Sequence, residues 1–305
     1  MRAIDRLMQA VAQKQNPTVF GLDTRYEYLP EASKLGESWL EEGMERMWAF
    51  NKALMDALHD IVPAVKIQIA YYEMYGIEGM KLFQKTADYA RKMGFFVIID
   101  AKRGDIGPTA GAYAAAFLGE TEMDEHRLSA FLGDMLTINP YLGSDGVLPF
   151  VQEAEKHQKG VFVLVKTSNP SSGEFQDLVV DDKPIYRHVA QKVSQWGETL
   201  LGEGGYSDVG AVVGATYPEQ GVELRKAFPH VYFLVPGYGA QGAAAQDLSG
   251  CFDSNGHGAI VNASRSLLCA YKKHPGKNAA DASREEAIRM KEDLLSAIGG
   301  SIRKG

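Results

Sequence analysis

FFVIIDAKRGDIG, residues 95–107, changes character halfway along. Its first half is apolar and rich in β-branched and aromatic residues, the composition of a strand. Its second half sets Asp100, Lys102, Arg103 and Asp105 within six positions. No polar residue alternates with the apolar ones in Phe95–Ile99, so the run reads as a strand buried on both faces, as in a parallel sheet covered by helices. A buried strand that ends in four charges must open onto a place where charge is used.

The same pattern recurs along the chain. PTVFGLD (17–23), AVKIQI (64–69), FFVIID (95–100), DMLTIN (134–139), GVFVLVK (160–166), VGAVVGA (209–215), VYFLVPG (231–237) and GAIVNAS (258–264) give eight candidate strands. Between them lie segments with apolar residues at three- and four-residue spacing, such as residues 37–60, 80–93 and 186–204, which read as helices. Eight strand–helix alternations, with no Pro/Gly/Ser-rich linker between them, predict an α/β chain folded as a single (β/α)₈ TIM barrel over residues 1–305. Residues 24–63, 111–133 and 171–207 read as long loop insertions, and 275–305 as a C-terminal helical extension. The competing architecture is an open doubly wound sheet, but no strand near the N-terminus is followed by a G-x-G-x-x-G turn opening a helix.

Composition bounds the function. The 305 residues are 45% hydrophobic, enough for a large core, and carry a formal charge of −7. With a pI near 5.6 the chain lacks the concentrated positive face that nucleic acid or an acidic membrane requires, while a few placed cations still suit a small anion. Residues 1–16 scatter charges through an amphipathic pattern unlike a signal peptide, and no apolar run reaches membrane-spanning length, so a cytoplasmic location is expected. The two cysteines, Cys251 and Cys269, and the scattered histidines suggest neither a disulfide framework nor a metal cluster. Met44, Met47, Trp48 and Met55 recur at helical spacing and read as core, and the acidic run 120–127 as a solvated face.

In a TIM barrel the C-terminal strand ends share one pocket, so residues that terminate strands carry the functional information. Those residues are Asp23, Lys66, Asp100 with Lys102 and Asp105, Asn139, Lys166 with Thr167–Asn169, Thr216, the loop PGYGAQG (236–242), and Ser264 with Arg265. Each has a plainer reading as well. Asp23 fits a turn, Ser168 and Asn169 a cap, Arg265 a surface ion pair, and Asp105 the N-cap of the helix that follows. Lys66 lies in an apolar run, where a lysine is either paired and inward-facing or reaches to solvent. The alternation of Asp100, Lys102 and Asp105 favours a site, because like charges this close are costly without the ammonium between them.

These residues resemble a known family. DAKRGDIGPT matches the D-x-K-x-x-D-I-x-x-T signature of orotidine 5′-phosphate decarboxylase, in the longer bacterial branch where Arg-Gly separates the Lys from the second Asp. Asp23, Lys66, the TSNP segment with Ser168, PGYGAQG with Gln241, and Ser264-Arg265 follow in the order that family shows, so the similarity spans residues 17–270. The resemblance implies decarboxylation of orotidine 5′-phosphate to uridine 5′-phosphate and carbon dioxide, the last step of UMP synthesis, without cofactor or metal. It makes Lys102 the electrostatic stabiliser and proton donor, with Asp100, Asp105 and Lys66 completing a charged array. Asp23 and Lys66 would reach the ribose, Ser168 and Asn169 the pyrimidine edge, and Pro236, Gln241, Ser264 and Arg265 the phosphate end. Gly237, Gly239 and Gly242 would let the loop close over that end. It also implies a homodimer in which Asp105, Ile106 and Thr109 serve the neighbouring site. Lys166 has no role in this scheme.

Two other functions fit parts of the pattern. A metal-dependent sugar-phosphate aldolase or decarboxylase of the same barrel group needs a further acidic ligand near the second strand end, where the nearest acid, Glu73, lies too far along. A catalytically silent nucleotide-phosphate-binding barrel would not need alternating buried charges.

Overall fold

The computed structural model describes residues 1–30, 34–238 and 244–303. Eight parallel strands close a barrel: β1 Thr18–Leu22, β2 Ala64–Gln68, β3 Phe96–Arg103, β4 Met135–Ile138, β5 Gly160–Lys166, β6 Val209–Val213, β7 Phe233–Val235 and β8 Ala259–Ala263. Each pairs with its neighbours in sequence, and β1 closes the ring against β8 with Thr18 opposite Val261 and Phe20 opposite Ala263. All eight predicted strands are present.

Alternate residues of these strands face opposite ways and build two apolar regions. Outward-facing residues such as Phe20, Val65, Val97 and Leu136 pack under the helices. In α2 (Trp39–Leu58) the buried face is Met44, Met47, Phe50, Leu54, Met55 and Leu58, which places the predicted core methionines against the barrel wall. Inward-facing Val19, Ala64, Ile98, Phe162 and Ile260 fill the barrel and meet Ile4, Leu7 and Val11 of α1 (Ala3–Lys14). The N-terminal helix is therefore the plug of the barrel's lower end. Asp208, just before β6, accepts a hydrogen bond from the Ile4 backbone N–H at 2.8 Å and holds the plug in place.

Several local expectations change. Strand β3 does not stop at Asp100 but continues through Ala101 and Lys102 to Arg103. The helix expected over 186–204 spans only Ile185–Trp196, ending at Gly197, where an added Cβ would lie 2.2 Å from Ser207 Oγ. The helix after the charged strand end runs Gly107–Leu118 with Ile106 at its cap position, so Asp105 is not its N-cap; its carboxylate accepts from the Ile106 N–H at 2.8 Å instead. The insertions carry their own structure. Residues 121–128 form an exposed two-stranded hairpin, and 179–184 a second one. The C-terminal helix (Ala279–Ala297) is capped by the Asn278 side chain and tied to the end of α2 through Arg284, which reaches Asp60 at 2.6 and 2.7 Å.

Candidate active site

The C-terminal strand ends surround a cavity of about 650 Å³. Its two sides differ because neighbouring strands end differently. Asp23, Lys66, Gln68, Asp100, Lys102 and Thr137, from β1 to β4, make a polar wall, whereas Leu164, Val212 and Leu234, from β5 to β7, make an apolar one. Ser168, Asn169, Pro236, Ser264 and Arg265 stand around the mouth.

The polar wall is centred on Asp100, 6% exposed. One carboxylate oxygen, Oδ2, accepts from Lys66 Nζ at 2.8 Å and from Gln68 Nε2 at 3.0 Å. The other, Oδ1, accepts from Lys102 Nζ at 2.6 Å and from Thr137 Oγ1 at 2.9 Å. Lys66 also reaches Asp23 Oδ1 at 3.2 Å. Burial would push the Asp100 carboxyl up, but the Lys66 and Lys102 ammoniums hold it well below the usual carboxylate range. Burial would likewise push Lys66 down, and Asp100 and Asp23 instead hold its ammonium above the ordinary lysine value. The result is a fixed chain of charges, Asp23, Lys66, Asp100, Lys102. Its last member is the one that reaches out: the Lys102 side chain is 45% exposed to the cavity.

Strand β3 can present both Asp100 and Lys102 because its pairing with β4 is irregular. Ile99 lies opposite Leu136 and Arg103 opposite Ile138, so β3 advances four residues while β4 advances two. Bulges of this kind re-aim side chains beside functional sites. Lys102 sits at φ +47°, a left-handed conformation that costs a non-glycine residue about 1–2 kcal/mol.

Arg265 is exposed at the cavity mouth and, among the described residues, has no acidic partner, so the surface ion pair does not form. It opens a single helical turn, Arg265–Leu268, after Ser264. Close approach of β1 and β8 beneath it depends on Gly21, where a Cβ would lie 1.9 Å from Ser264 Oγ. Asn169 accepts from Thr167 Oγ1 at 2.6 Å, and Thr167 is in turn gripped by Gln176, whose Oε1 accepts from its N–H at 2.9 Å. Gly237 has φ +103° and lines the mouth; Gln241, Gly239 and Gly242 lie outside the described residues.

Asp105, Ile106 and Thr109 do not join this cavity. The chain leaves the mouth after Arg103, and Ile106 is 54% exposed on the outer surface. Glu73 is drawn away as well, paired with Arg103, and among the described residues no three His, Cys, Asp or Glu side chains converge as a metal ion requires. Gln68, Thr137 and Asn262 are among the lining residues that sequence reading passed over. Gln68 stands two residues after Lys66 in β2, so strand alternation already placed it on the inner face.

An eight-stranded parallel barrel with a buried charge relay on one wall and, at the mouth, an exposed arginine without an acidic partner among the described residues is a TIM-barrel enzyme site for a small anionic substrate. The particular family follows from comparison with known proteins. The chain belongs to the orotidine 5′-phosphate decarboxylase / HUMPS family, whose model matches residues 44–281. It is 45% identical over 299 residues to the orotidine 5′-phosphate decarboxylase of Rhodopirellula baltica, covering 95% of this chain and 97% of that one. The Caldicellulosiruptor bescii protein of the same name is 40% identical over 299 residues, covering 96% and 98%. Among solved structures, that of Leishmania donovani OMP decarboxylase superposes with a TM-score of 0.70 at 31% identity, covering 95% of this chain and 99% of the other.

Proposed function

We propose that this protein decarboxylates orotidine 5′-phosphate to uridine 5′-phosphate. Family membership along nearly the whole chain supports the reaction, and the single observation that carries the residue roles is the Lys66–Asp100–Lys102 relay opening on the cavity. The C6–carboxylate bond breaks, carbon dioxide leaves, and the electron pair stays on C6 in the plane of the pyrimidine ring, where π-delocalisation helps little. The Lys102 ammonium stabilises that developing anion and then transfers a proton from Nζ to C6, after which the amine recovers a proton from solvent. Asp100 and Lys66 fix the ammonium before the substrate arrives, so little reorganisation is needed during the reaction.

Asp23 and Lys66 receive the ribose hydroxyls, and Ser168 and Asn169 read the pyrimidine edge. Arg265, with backbone N–H groups near Ser264, grips the phosphate; the helix there is one turn long, so its N–H groups matter more than any macrodipole. Phosphate binding draws the loop from Pro236 through Gln241 over the mouth, converting remote binding energy into exclusion of water. The working form is a cytoplasmic homodimer. Asp105 abuts the start of the helix Ser144–Lys156, where a Cβ on Gly146 would approach its carbonyl to 3.2 Å, and exposed Ile106, Tyr141 and Leu142 supply apolar surface for the partner. Across a two-fold axis Asp105, Ile106 and Thr109 complete the neighbour's cavity.

Loss of orotidine 5′-phosphate absorbance with purified protein, in excess chelator, is the direct test, and a sample that leaves the substrate unconsumed refutes the function. Lys102→Ala is expected to lower kcat by at least about 10³-fold while UMP still binds, because it removes stabilisation made mainly in the transition state. For the shared site, Lys102→Ala and Asp105→Ala chains, each nearly inactive, are mixed and allowed to exchange. Random pairing should restore about a quarter of wild-type activity per site, and none if Asp105 acts in its own chain.

A further inference from the structure

We infer that Thr137 is a positioning residue for Lys102, acting through one hydroxyl that closes a ring of hydrogen bonds around the β3 bulge. This role rests on the decarboxylase reading above. Thr137 lies on β4, is 1% exposed and faces the cavity.

The bulge creates the need. Between Ile99 and Arg103 the strand has two more residues than its partner, so backbone groups there lose their ladder positions. A buried N–H without an acceptor is costly, and at Lys102 the left-handed φ adds strain. The Thr137 hydroxyl answers both. Its Oγ1 accepts from the Lys102 backbone N–H at 3.0 Å, and its own proton goes to Asp100 Oδ1 at 2.9 Å. That same Oδ1 accepts from Lys102 Nζ at 2.6 Å. The ring runs from the Lys102 N–H to the Thr137 hydroxyl, on to the Asp100 carboxylate, and back through the Lys102 ammonium.

Each bond in the ring fixes a different degree of freedom. The Lys102 amide is held in its strained conformation, the Asp100 carboxylate is oriented, and the ammonium is aimed from both its root and its tip. Without the hydroxyl, Asp100 keeps its two lysines, so substrate-binding charge survives. What is lost is the placement of Nζ against C6, and misplacement of a reacting group by a fraction of a bond length lowers the rate of the chemical step more than it weakens ground-state binding. Threonine offers the hydroxyl in a β-branched side chain of few rotamers, which suits a strand and a fixed direction.

Thr137→Val keeps the shape and removes both hydrogen bonds, and Thr137→Ser keeps the hydroxyl and removes a methyl. Thr137→Val is expected to lower kcat for orotidine 5′-phosphate by about 10- to 100-fold, with KM and UMP affinity within about threefold of wild type. Thr137→Ser should recover most of that loss. Amide hydrogen exchange at Lys102 should be about tenfold or more faster in Thr137→Val than in wild type and unchanged in Thr137→Ser. If Thr137→Val fails to fold, Thr137→Ala against Thr137→Ser makes the same comparison. The role is overturned if the Val variant keeps its kcat, if UMP affinity falls in step with kcat, or if Ser performs no better than Val. A wild type that never consumes the substrate would refute the function itself, and the Lys102 exchange rates would still show whether the hydroxyl holds the bulge.

Discussion

Two lysines near strand ends, Lys66 and Lys166, look alike in sequence and do different work. Both interrupt apolar runs, both are buried, and both are paired with aspartate. Lys66 lies on the inner wall of the barrel and shares Asp100 with a second ammonium, that of Lys102, which faces the cavity. Lys166, fully buried, lies behind the wall. Its Nζ holds both oxygens of Asp177 at 2.7 and 2.8 Å and sits 4.8 Å from the centre of the Tyr217 ring. Asp177 follows Gln176, which grips Thr167, so Lys166 pins down the excursion that carries Ser168 and Asn169. A buried ion pair therefore does not mark a catalytic site. The one at Lys66 belongs to a relay whose last charge is presented to the cavity; the one at Lys166 is closed on itself and serves a loop.

The sharpest way to break this contrast is to remove each ammonium in turn. Lys66→Met is expected to lower kcat by about 10³-fold or more, since it strips Asp100 of a counter-charge and unsettles Lys102, whereas Lys166→Met should cost less than about tenfold and appear mainly in KM. Equal losses in kcat would erase the distinction.

Stability should show an asymmetry inside the second pair. Asp177 is 41% exposed and Lys166 is not exposed at all, so Asp177→Asn strands a buried ammonium while Lys166→Met leaves a carboxylate that water can reach. Urea unfolding should register about 3–5 kcal/mol lost for Asp177→Asn and distinctly less for Lys166→Met. The reverse order would mean that packing of the lysine stem, and not its charge, holds the segment.

A smaller effect comes from a third buried charge at the opposite end of the barrel. Asp208 has the Ile4 N–H and, at 3.4 Å, the half-exposed Arg2 guanidinium as partners, and burial outweighs both, pushing its carboxyl up from 3.8 to about 6, opposite in direction to Asp100. For such a raised carboxyl the folded state binds the proton more tightly than the unfolded chain. Its contribution to stability is present below about pH 3.8 and is lost as pH rises through about 6. Asp208→Asn should flatten the stability profile between those values by about 3 kcal/mol. Asp100 acts in the other sense. Its contribution is present above the ordinary carboxylate pKa and is lost as pH falls below it, and that acid limb should shrink in Lys66→Met. A single slope shared by both variants would show that the two ends of the barrel are not electrostatically distinct.

How much of this was legible in the sequence depends on how local each cause is. The eight strands were legible because burial on both faces leaves unbroken apolar runs, and Asp23, Lys66, Asp100 and Lys102 were legible because the polar residues of a barrel strand gather toward its C-terminal end, where the pocket lies. Arg265 was legible for the same reason, at the end of β8. Which side of the wall a lysine enters was not. Pairing of β6 with β5 shifts between Val212 and Val213, and Lys166 lies opposite Val213, so a one-residue slip separates an inner position from an outer one. The bulge that carries Lys102, the hydroxyl of Thr137 that caps it, and the plug formed by α1 arise between segments far apart in the chain. Sequence by itself determined the barrel, the strand-end charges and the family signature, since these follow from periodicity and from order along one strand. Only the tertiary structure decided which charges meet, because a salt bridge or a hydrogen bond is set by separations of a few ångströms across strands, and no local pattern encodes them.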